Sequence, residues 1–215
     1  MSGLRRSRRR QATIDEVLGH AVDVMTEFGV GGLTVSERAR RTGVRPPSLY
    51  KYFPSLHAIY DALFARGIAA TAAVLADAVE DQPEGVARLR VGTTALIRWA
   101  VENPALAQLL FWRPVPGFSP SSAAFAGSID QMTTLRAQLA AAVARGELRP
   151  GADTEAALRL YTVVISGVIS QQLANQPGAP FECGAFTSLT DEALDLFFAR
   201  YAARPEGDPD ADPGP

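Results

Sequence analysis

The stretch TGVRPPSLYKYF, residues 42–53, decides the fold that this sequence predicts. Its glycine allows a sharp turn, and Pro46 and Pro47 lack an N–H group, so they are tolerated only in the first turn of a helix. We therefore expect a new helix to begin near these prolines and to continue to the end of the stretch. Leu49 and Phe53 lie four residues apart and can pack inward. The basic and hydroxyl-bearing side chains of the stretch are then left near its front and outer side.

Two further short helices are predicted ahead of this stretch. Thr13 with Glu16, and Thr34 with Glu37, each form the T-x-x-E pattern of a capping box. Apolar residues at helical spacing follow the first box as far as Phe28, and nearby glycines end that helix. The second and third helices, joined by a glycine-containing turn, make a helix-turn-helix arrangement whose last helix fits the major groove of DNA. The alternative is an ordinary helical hairpin with aromatic core residues, which leaves the polar cluster unexplained.

Charge is unevenly distributed along the chain. Residues 1–51 contain ten Arg or Lys and five acids, a local charge of +5, whereas the formal net charge of the whole chain is -2. A basic head on an acidic body indicates a polyanionic partner for the head. The alternative is a basic N-terminal arm that is merely solvated.

The remainder of the chain also predicts helices, because apolar residues recur at helical spacing and no sustained strand-type alternation occurs. The expected fold class is all-α with about nine helices, three in an N-terminal head and the others in a larger helical body. The Pro-, Gly- and acid-rich end, residues 204–215, predicts a disordered tail. After the head, helices are predicted at about 56–80, 86–100, 104–112, 125–145, 153–175 and 190–203.

Three helix starts carry specific predictions. Asn103, which a proline follows, is expected to be an N-cap with proline at the first helical position. Asp153 is expected to cap the helix that follows it. Thr190 is expected to cap the last helix, with Leu189 and Leu194 forming a hydrophobic staple.

Composition limits the class of protein. Hydrophobic residues make up 47% of the chain and charged residues 20%, which is enough apolar surface for a core. No apolar run approaches the roughly 20 residues that span a bilayer, so no membrane partner is expected. Acids between residues 14 and 28 argue against a signal peptide. The lone Cys183 cannot form an internal disulfide, which favours a cytoplasmic location and a spectator thiol.

The sequence does not favour an enzyme. His20 and His57, the two histidines, are far apart and have no ligand-spaced partner, so neither a metal site nor a cofactor is expected. Nucleophile-elbow, P-loop and dinucleotide-binding motifs are absent from the sequence.

Residues 13–67 resemble the DNA-binding domain of the tetracycline-repressor-like (TetR) family of bacterial transcriptional regulators. The resemblance implies a basic arm (1–12), a helix-turn-helix DNA-binding domain (13–55), and a ligand-binding and dimerisation domain (56–203) whose helix 56–80 links the two. The chain departs from the family at Arg38, where an aliphatic residue is usual, and at Leu56-His57, where Lys-Glu is usual. The matching residues are Gly29, Thr34, Val35, Ala39, Gly43, Val44, Pro47, Ser48, Leu49, Tyr50, Tyr52 and Phe53.

The resemblance also implies which residues meet double-stranded DNA. Arg45, Pro46 and Ser48 are expected at the groove-facing front of the last head helix. Tyr50, Lys51 and Tyr52 are expected toward the phosphate backbone. Thr34 completes this set, and His57 is a candidate replacement for the family's phosphate-binding lysine.

The body is expected to bind a small molecule and a second copy of the chain. Aromatic residues on different helices could line a pocket, although core packing would explain each of them separately. The helices at about 153–175 and 189–203 carry more apolar surface than one protomer is expected to cover, which predicts a four-helix interface in a homodimer. The pocket candidates are Trp99, Phe111, Trp112, Phe125 and Tyr161. The interface candidates are Leu158, Tyr161, Val164, Ile165, Val168, Ile169, Leu194, Phe197 and Phe198.

Together these patterns predict a cytoplasmic transcriptional regulator, a repressor that a small apolar effector releases from a palindromic operator. The alternative is a helical small-molecule-binding module without sequence-specific DNA binding.

Overall fold

The computed structural model describes residues 2–33 and 52–203, and its secondary structure there is helical apart from turns and one isolated bridge between Leu148 and Ala202. The all-α class is confirmed for this part of the chain. Three short 3₁₀ turns, Val30–Gly32, Phe181–Cys183 and Thr187–Leu189, lie between longer helices. The α-helices are α1 (Ser2–Phe28), α2 (Leu56–Ala78), α3 (Val86–Glu102), α4 (Pro104–Phe111), α5 (Ser122–Ala144), α6 (Glu155–Asn175) and α7 (Thr190–Arg200).

The described ranges thus contain seven α-helices, where about nine were predicted for the whole chain. The two remaining predicted helices, including the capping box of Thr34 and Glu37, lie in residues 34–51, outside the described residues. Tyr52 forms a turn and Phe53 has no regular secondary structure, so the prediction that the third head helix extends to the end of the opening stretch is wrong at these two residues.

The chain divides into two compact units. Unit 1 comprises residues 1–72 and 102–129, and unit 2 comprises residues 73–101 and 130–215. These units are defined by which residues pack together, whereas the predicted domain bounds separate DNA binding from ligand binding and dimerisation. The boundary at residues 55 and 56 therefore stays a prediction.

Unit 1 is built around one face of α1 and one face of α2. Val17, Ala21 and Val24, which recur at helical spacing on α1, are at most 1% exposed, and the same holds for Ile59 and Leu63 on α2. Helix α4 packs against α1 and against the Val30–Gly32 turn. The apolar spacing that predicts these helices therefore also identifies the faces they bury.

Unit 2 has an aromatic core. The Tyr161 and Phe197 rings meet edge to face with centroids 4.8 Å apart, and the centroid of the Tyr201 ring lies 4.9 Å from that of Phe197. The Arg90 guanidinium lies 4.8 Å above the Phe198 ring. Because α6 and α7 supply these rings, the packing fixes the two helices against each other.

Several of the predicted helix starts are wrong. Helix α1 begins at Ser2, so Thr13 lies inside it and donates its hydroxyl to the Arg9 carbonyl instead of capping. Helix α6 is capped by Thr154, one residue after Asp153, through a 3.3 Å bond from the Ala157 N–H. Asn103 does hold the N-cap position of α4, with proline next, but its side chain makes no capping hydrogen bond.

The predicted cap of the last helix is also wrong. Thr190 is the first residue of α7, and its hydroxyl donates to the Thr187 carbonyl in the preceding 3₁₀ turn. Leu189 itself occupies the N-cap position and remains 49% exposed, whereas Leu194 is buried. The geometry of a hydrophobic staple, which needs an apolar residue before the cap, is therefore not present.

The expectation that no segment is long and apolar enough for a membrane is corrected at α2. By length and composition alone this helix could cross one, since an 18-residue window within it has a mean hydropathy of 1.4. Its apolar residues Ile59, Tyr60, Leu63 and Phe64 are each at most 1% exposed. Packing in the core of unit 1 accounts for part of that composition, since 39% of the window is buried.

Candidate functional site

The basic arm predicted at residues 1–12 is helical where it is described, because α1 begins at Ser2. Arg5, Arg8, Arg9 and Arg10 are exposed along this first part of the helix. The first buried residue of α1 is Val17. The arginines therefore stand on a helical extension that precedes the core of unit 1.

One of these arginines meets the end of the opening stretch. The Arg10 guanidinium lies 6.0 Å from the centre of the Tyr52 ring, within range of a cation–π contact. Tyr52 is half-buried, and the neighbouring Phe53 is 8% exposed and packs into unit 1. The contact places basic charge beside a residue predicted to face the DNA backbone.

Six of the predicted DNA-binding residues lie outside the described part of the chain, so their placement stays a prediction; they are Thr34, Arg45, Pro46, Ser48, Tyr50 and Lys51. His57, in the first turn of α2, is described and exposed. Its ring meets the Phe118 ring edge-on at 6.0 Å. His57 is thus accessible, and its phosphate contact stays a prediction.

Helix α2 is attached to the turn that follows α1. The Tyr60 hydroxyl donates to the Val30 carbonyl at 2.6 Å, and both residues are buried. Ser55 caps the helix by accepting the Ala58 N–H at 3.1 Å. A buried bond between the start of α2 and the head makes α2 a physical link to the predicted DNA-binding segment.

Helix α2 is also attached to the start of α5. The Asp61 carboxylate accepts the Ser121 N–H at 2.7 Å and the Ser121 hydroxyl at 2.8 Å. Ser121 in turn accepts the Ala124 N–H at 3.2 Å. Sequence reasoning missed this network, although an acid in the otherwise apolar start of α2 was a visible signal.

Three of the predicted effector-binding residues lie in unit 1. Phe111 is 36% exposed, Trp112 is 39% exposed, and Phe125 is half-buried. The Phe125 ring stacks on Phe64 of α2 with centroids 6.2 Å apart. Arg113, which the sequence did not single out, places its guanidinium 5.1 Å from the Phe125 ring and 5.7 Å from the Phe64 ring.

The other two predicted effector-binding residues, Trp99 and Tyr161, lie in unit 2 and are 7% and 0% exposed. The Tyr161 hydroxyl shares a 2.6 Å hydrogen bond with the Thr93 hydroxyl and donates to the Leu89 carbonyl at 3.2 Å. Burial raises the pKa of Tyr161 to about 12, against a smaller lowering by the Thr93 bond. With its hydroxyl bonded on two sides, Tyr161 acts in the core, and any role toward an effector stays a prediction.

Most of the predicted dimer residues are covered within the protomer. Tyr161 and Ile169 are fully buried, and Leu194 and Phe197 are 1% exposed. The exposed apolar residues of the same two helices are Leu160 at 39%, Val163 at 64% and Leu196 at 77%.

Several charged groups of unit 2 form surface ion pairs. The Arg145 side chain and the Val86 N–H both bond the Glu147 carboxylate and lower its pKa. Arg98 pairs with Glu182 and lowers its pKa as well.

Within residues 2–33 and 52–203, no three His, Cys, Asp or Glu side chains are grouped as metal ligands. Cys183 is a free, exposed thiol.

Known proteins resemble the chain in both sequence and fold. YobS, an uncharacterized HTH-type transcriptional regulator of Bacillus subtilis (strain 168), is 31% identical over 88 residues, which cover 41% of this chain and 46% of that protein. The match therefore spans less than half of the curated relative. A protein of unknown function from Rhodococcus sp. RHA1 is 24% identical with a TM-score of 0.72, over 88% of this chain and 95% of that chain. FadR from Bacillus subtilis, in a structure with stearoyl-CoA, is 17% identical with a TM-score of 0.69, over 86% and 97%.

Two family models also match. The model described as "Bacterial regulatory proteins, tetR family" matches residues 17–63, which begin at the first buried residue of α1 and end within α2. The model described as "Tetracyclin repressor-like, C-terminal domain" matches residues 89–197, just over half of the chain. The predicted resemblance is thereby confirmed, and the chain belongs to the TetR family of bacterial regulatory proteins.

Proposed function

We propose that this protein is a DNA-binding transcriptional regulator, a repressor whose affinity for a palindromic operator falls when a small molecule binds the body. The observation that carries this proposal is the family match over residues 17–63, which contains the whole opening stretch. The four exposed arginines before that region and the Arg10–Tyr52 contact support it, because duplex DNA is a dense polyanion.

The proposed effector site lies in unit 1, where α4 and α5 meet α2. Phe125 stacks on Phe64, and Asp61 holds the start of α5, so a molecule that moves α5 also acts on α2. Tyr60 and Val30 carry that movement to the turn after α1. The effector is a small, largely apolar molecule, in keeping with the aromatic surroundings.

The regulator acts as a homodimer in the cytoplasm, and it acts by binding rather than by catalysis. The interface is formed by α6 and α7, through Leu160, Val163 and Leu196, whose side chains remain exposed in the single chain. Burying this surface against a second copy would remove the apolar area from water. A two-fold dimer reads inverted half-sites whose centres lie about one helical turn of DNA, or a multiple, apart.

The experiment that tests this proposal selects duplexes from a random pool with the full-length protein and then measures binding in mobility shifts. We expect one inverted repeat to be enriched, and its affinity to fall steeply with salt. Small apolar molecules that raise the melting temperature should weaken operator binding by roughly 5- to 150-fold, the usual range of allosteric coupling. If no sequence is enriched while such molecules still bind, the chain is the helical binding module without sequence-specific DNA binding.

A further inference from the structure

Arg113 has an unfavourable backbone conformation. Its φ is 48°, the left-handed region, and no other non-glycine residue of the described ranges has a positive φ. Its N–H donates to the Gln108 carbonyl just after the end of α4, a position that glycine commonly holds. Proline follows at residue 114 and further restricts the backbone of its predecessor. Strain of this kind, held in place by its surroundings, is a reason to examine the side chain for a function.

The Arg113 guanidinium lies over two aromatic rings, and among the described residues it has no anionic partner. Phe64 and Phe125 are the rings, at 5.7 and 5.1 Å. By contrast, Arg90 and Arg98 each pair with a carboxylate. Within the part of the chain that the structure describes, the Arg113 side chain has neither an ion pair nor a hydrogen bond. Its five N–H donors therefore remain available to an acceptor from outside.

An apolar surface adjoins this cation. Phe111 and Trp112, which directly precede Arg113, are 36% and 39% exposed. Ile129, one helical turn after Phe125 on α5, is 56% exposed. A molecule with an anionic group on an apolar body would match both parts of this surface.

The helix crossings of unit 1 leave little room for such a body between the helices. A Cβ atom at Gly67 of α2 would lie 3.1 Å from the Leu110 side chain of α4, and a Cβ atom at Gly127 of α5 would lie 2.7 Å from Ile68 of α2. At these two crossings the helices are in close contact, so we place the apolar body against the exposed aromatic residues instead.

From this arrangement we propose that Arg113 binds the anionic head of an amphiphilic effector, a carboxylate or a phosphate, whose apolar body lies against Phe111, Trp112 and Phe125. The inference rests on the proposed function, because it names the chemical class of the effector for the same site. Arginine suits this role, since its planar fork donates two parallel bonds to a carboxylate or phosphate. An effector bound to Arg113 would therefore act on a side chain that contacts Phe64 of α2.

The test measures dissociation constants of the full-length protein by calorimetry for three probes, dodecanoate, dodecyl phosphate and dodecanol. The two anions are kept below their critical micelle concentrations and the alcohol below its solubility limit. We expect the better of the two anions to bind at least about tenfold more tightly than the alcohol, as a charge-assisted bond implies. The two anions then distinguish a carboxylate from a phosphate head. Arg113→Gln should abolish that preference and change dodecanol affinity less than about threefold, while Arg113→Lys keeps part of it.

Two further variants separate binding from folding. Arg113→Gly relieves the left-handed backbone, so its melting temperature should be at least that of the parent while the anion preference is lost. Arg136→Gln, which removes an exposed arginine of α5, should leave all three dissociation constants unchanged.

The proposal is overturned if the unsubstituted protein binds no probe, if it binds the alcohol as tightly as both anions, or if Arg113→Gln weakens all three probes equally. Mobility shifts on the selected operator with the same samples keep the two proposals apart. If the unsubstituted protein shows no anion preference, or if Arg113→Gln retains it, while operator binding is intact, only the role of Arg113 is refuted. If the unsubstituted protein prefers the anions but binds no operator, only the proposed function as a DNA-binding regulator is refuted.

Discussion

Replacing Tyr60 by Phe should weaken the attachment of α2 to the head. The substitution removes the hydroxyl that donates to the Val30 carbonyl at 2.6 Å, and keeps the ring that packs 5.6 Å from Phe118. Tyr60 is 0% and Val30 is 3% exposed, so water does not readily replace the lost donor. A buried acceptor left unpaired costs roughly 1–3 kcal/mol, which sets the expected loss in the free energy of unfolding.

Urea unfolding followed by far-ultraviolet circular dichroism measures this loss. With a slope of about 2 kcal/mol per molar urea, the transition midpoint should fall by roughly 0.5–1.5 M. Tyr201→Phe is the matched control: Tyr201 is half-buried, its hydroxyl makes no hydrogen bond within the described residues, and its loss should cost less than about 0.5 kcal/mol. Equal midpoints for Tyr60→Phe and the parent, or an equal loss in both variants, would refute the reasoning.

Three further predictions concern unit 2, the dimer and the DNA. Because burial raises the pKa of Tyr161 to about 12 from an ordinary value of 10.0, the unfolded chain ionises first as pH rises. The contribution of Tyr161 to the free energy of unfolding is then complete below pH 10, and about 2–3 kcal/mol of it is lost between about pH 10 and 12. Tyr161→Phe should remove that part of the pH dependence in urea titrations. Val163→Glu should give a monomer in light scattering at micromolar concentration, whereas Met132→Glu, at a 41% exposed site outside α6 and α7, should remain a dimer. In mobility shifts, Lys51→Ala should weaken binding to all sequences. It should also lower the slope of log affinity against log salt concentration by about one unit for each phosphate that the protein no longer neutralises. Arg45→Ala should instead relax the base preference at one base pair per half-site by about 1–3 kcal/mol.

Each of these predictions has a contrary outcome. An unchanged alkaline stability profile in Tyr161→Phe would mean that another group titrates in that range. A monomeric parent, or a dimeric Val163→Glu variant, would exclude the outer face of α6 as the interface. Uniform loss with Arg45→Ala and altered base preference with Lys51→Ala would reverse the placement of the recognition helix.

The sequence predicts which segments are helical better than it predicts where helices begin. Apolar spacing located α2 to α7, and most of these helices bury their apolar face; on α5, however, Ile129 and Met132 remain 56% and 41% exposed. The capping box at Thr13 was misleading because T-x-x-E is a local pattern that does not depend on what precedes it. Arginine and glutamine favour helix, and a mid-helix threonine can bond the carbonyl four residues earlier, as Thr13 does with Arg9.

Apolar spacing also cannot say which molecule covers a helix face. Tyr161 and Phe197 were assigned to a dimer interface, but α3 and the rest of unit 2 bury them, with Thr93 bonding the Tyr161 hydroxyl. The exposed Val163 is on the opposite side of the same helix, and only the fold distinguishes the two sides. Arg113 was missed for a related reason. Its left-handed backbone cannot be read from the sequence, and the two rings beneath it, Phe64 and Phe125, belong to other helices.

The continuous α1 gives the N-terminal arginines a fixed register. A helix rises about 1.5 Å and turns about 100° per residue, so deleting one residue between Arg10 and Val17 would swing all the arginines around the axis. In a coil the same deletion would be absorbed. Deleting three or four residues there, close to one full turn, would return them to nearly the original side. Tolerated length changes in this segment should therefore recur with the helical period.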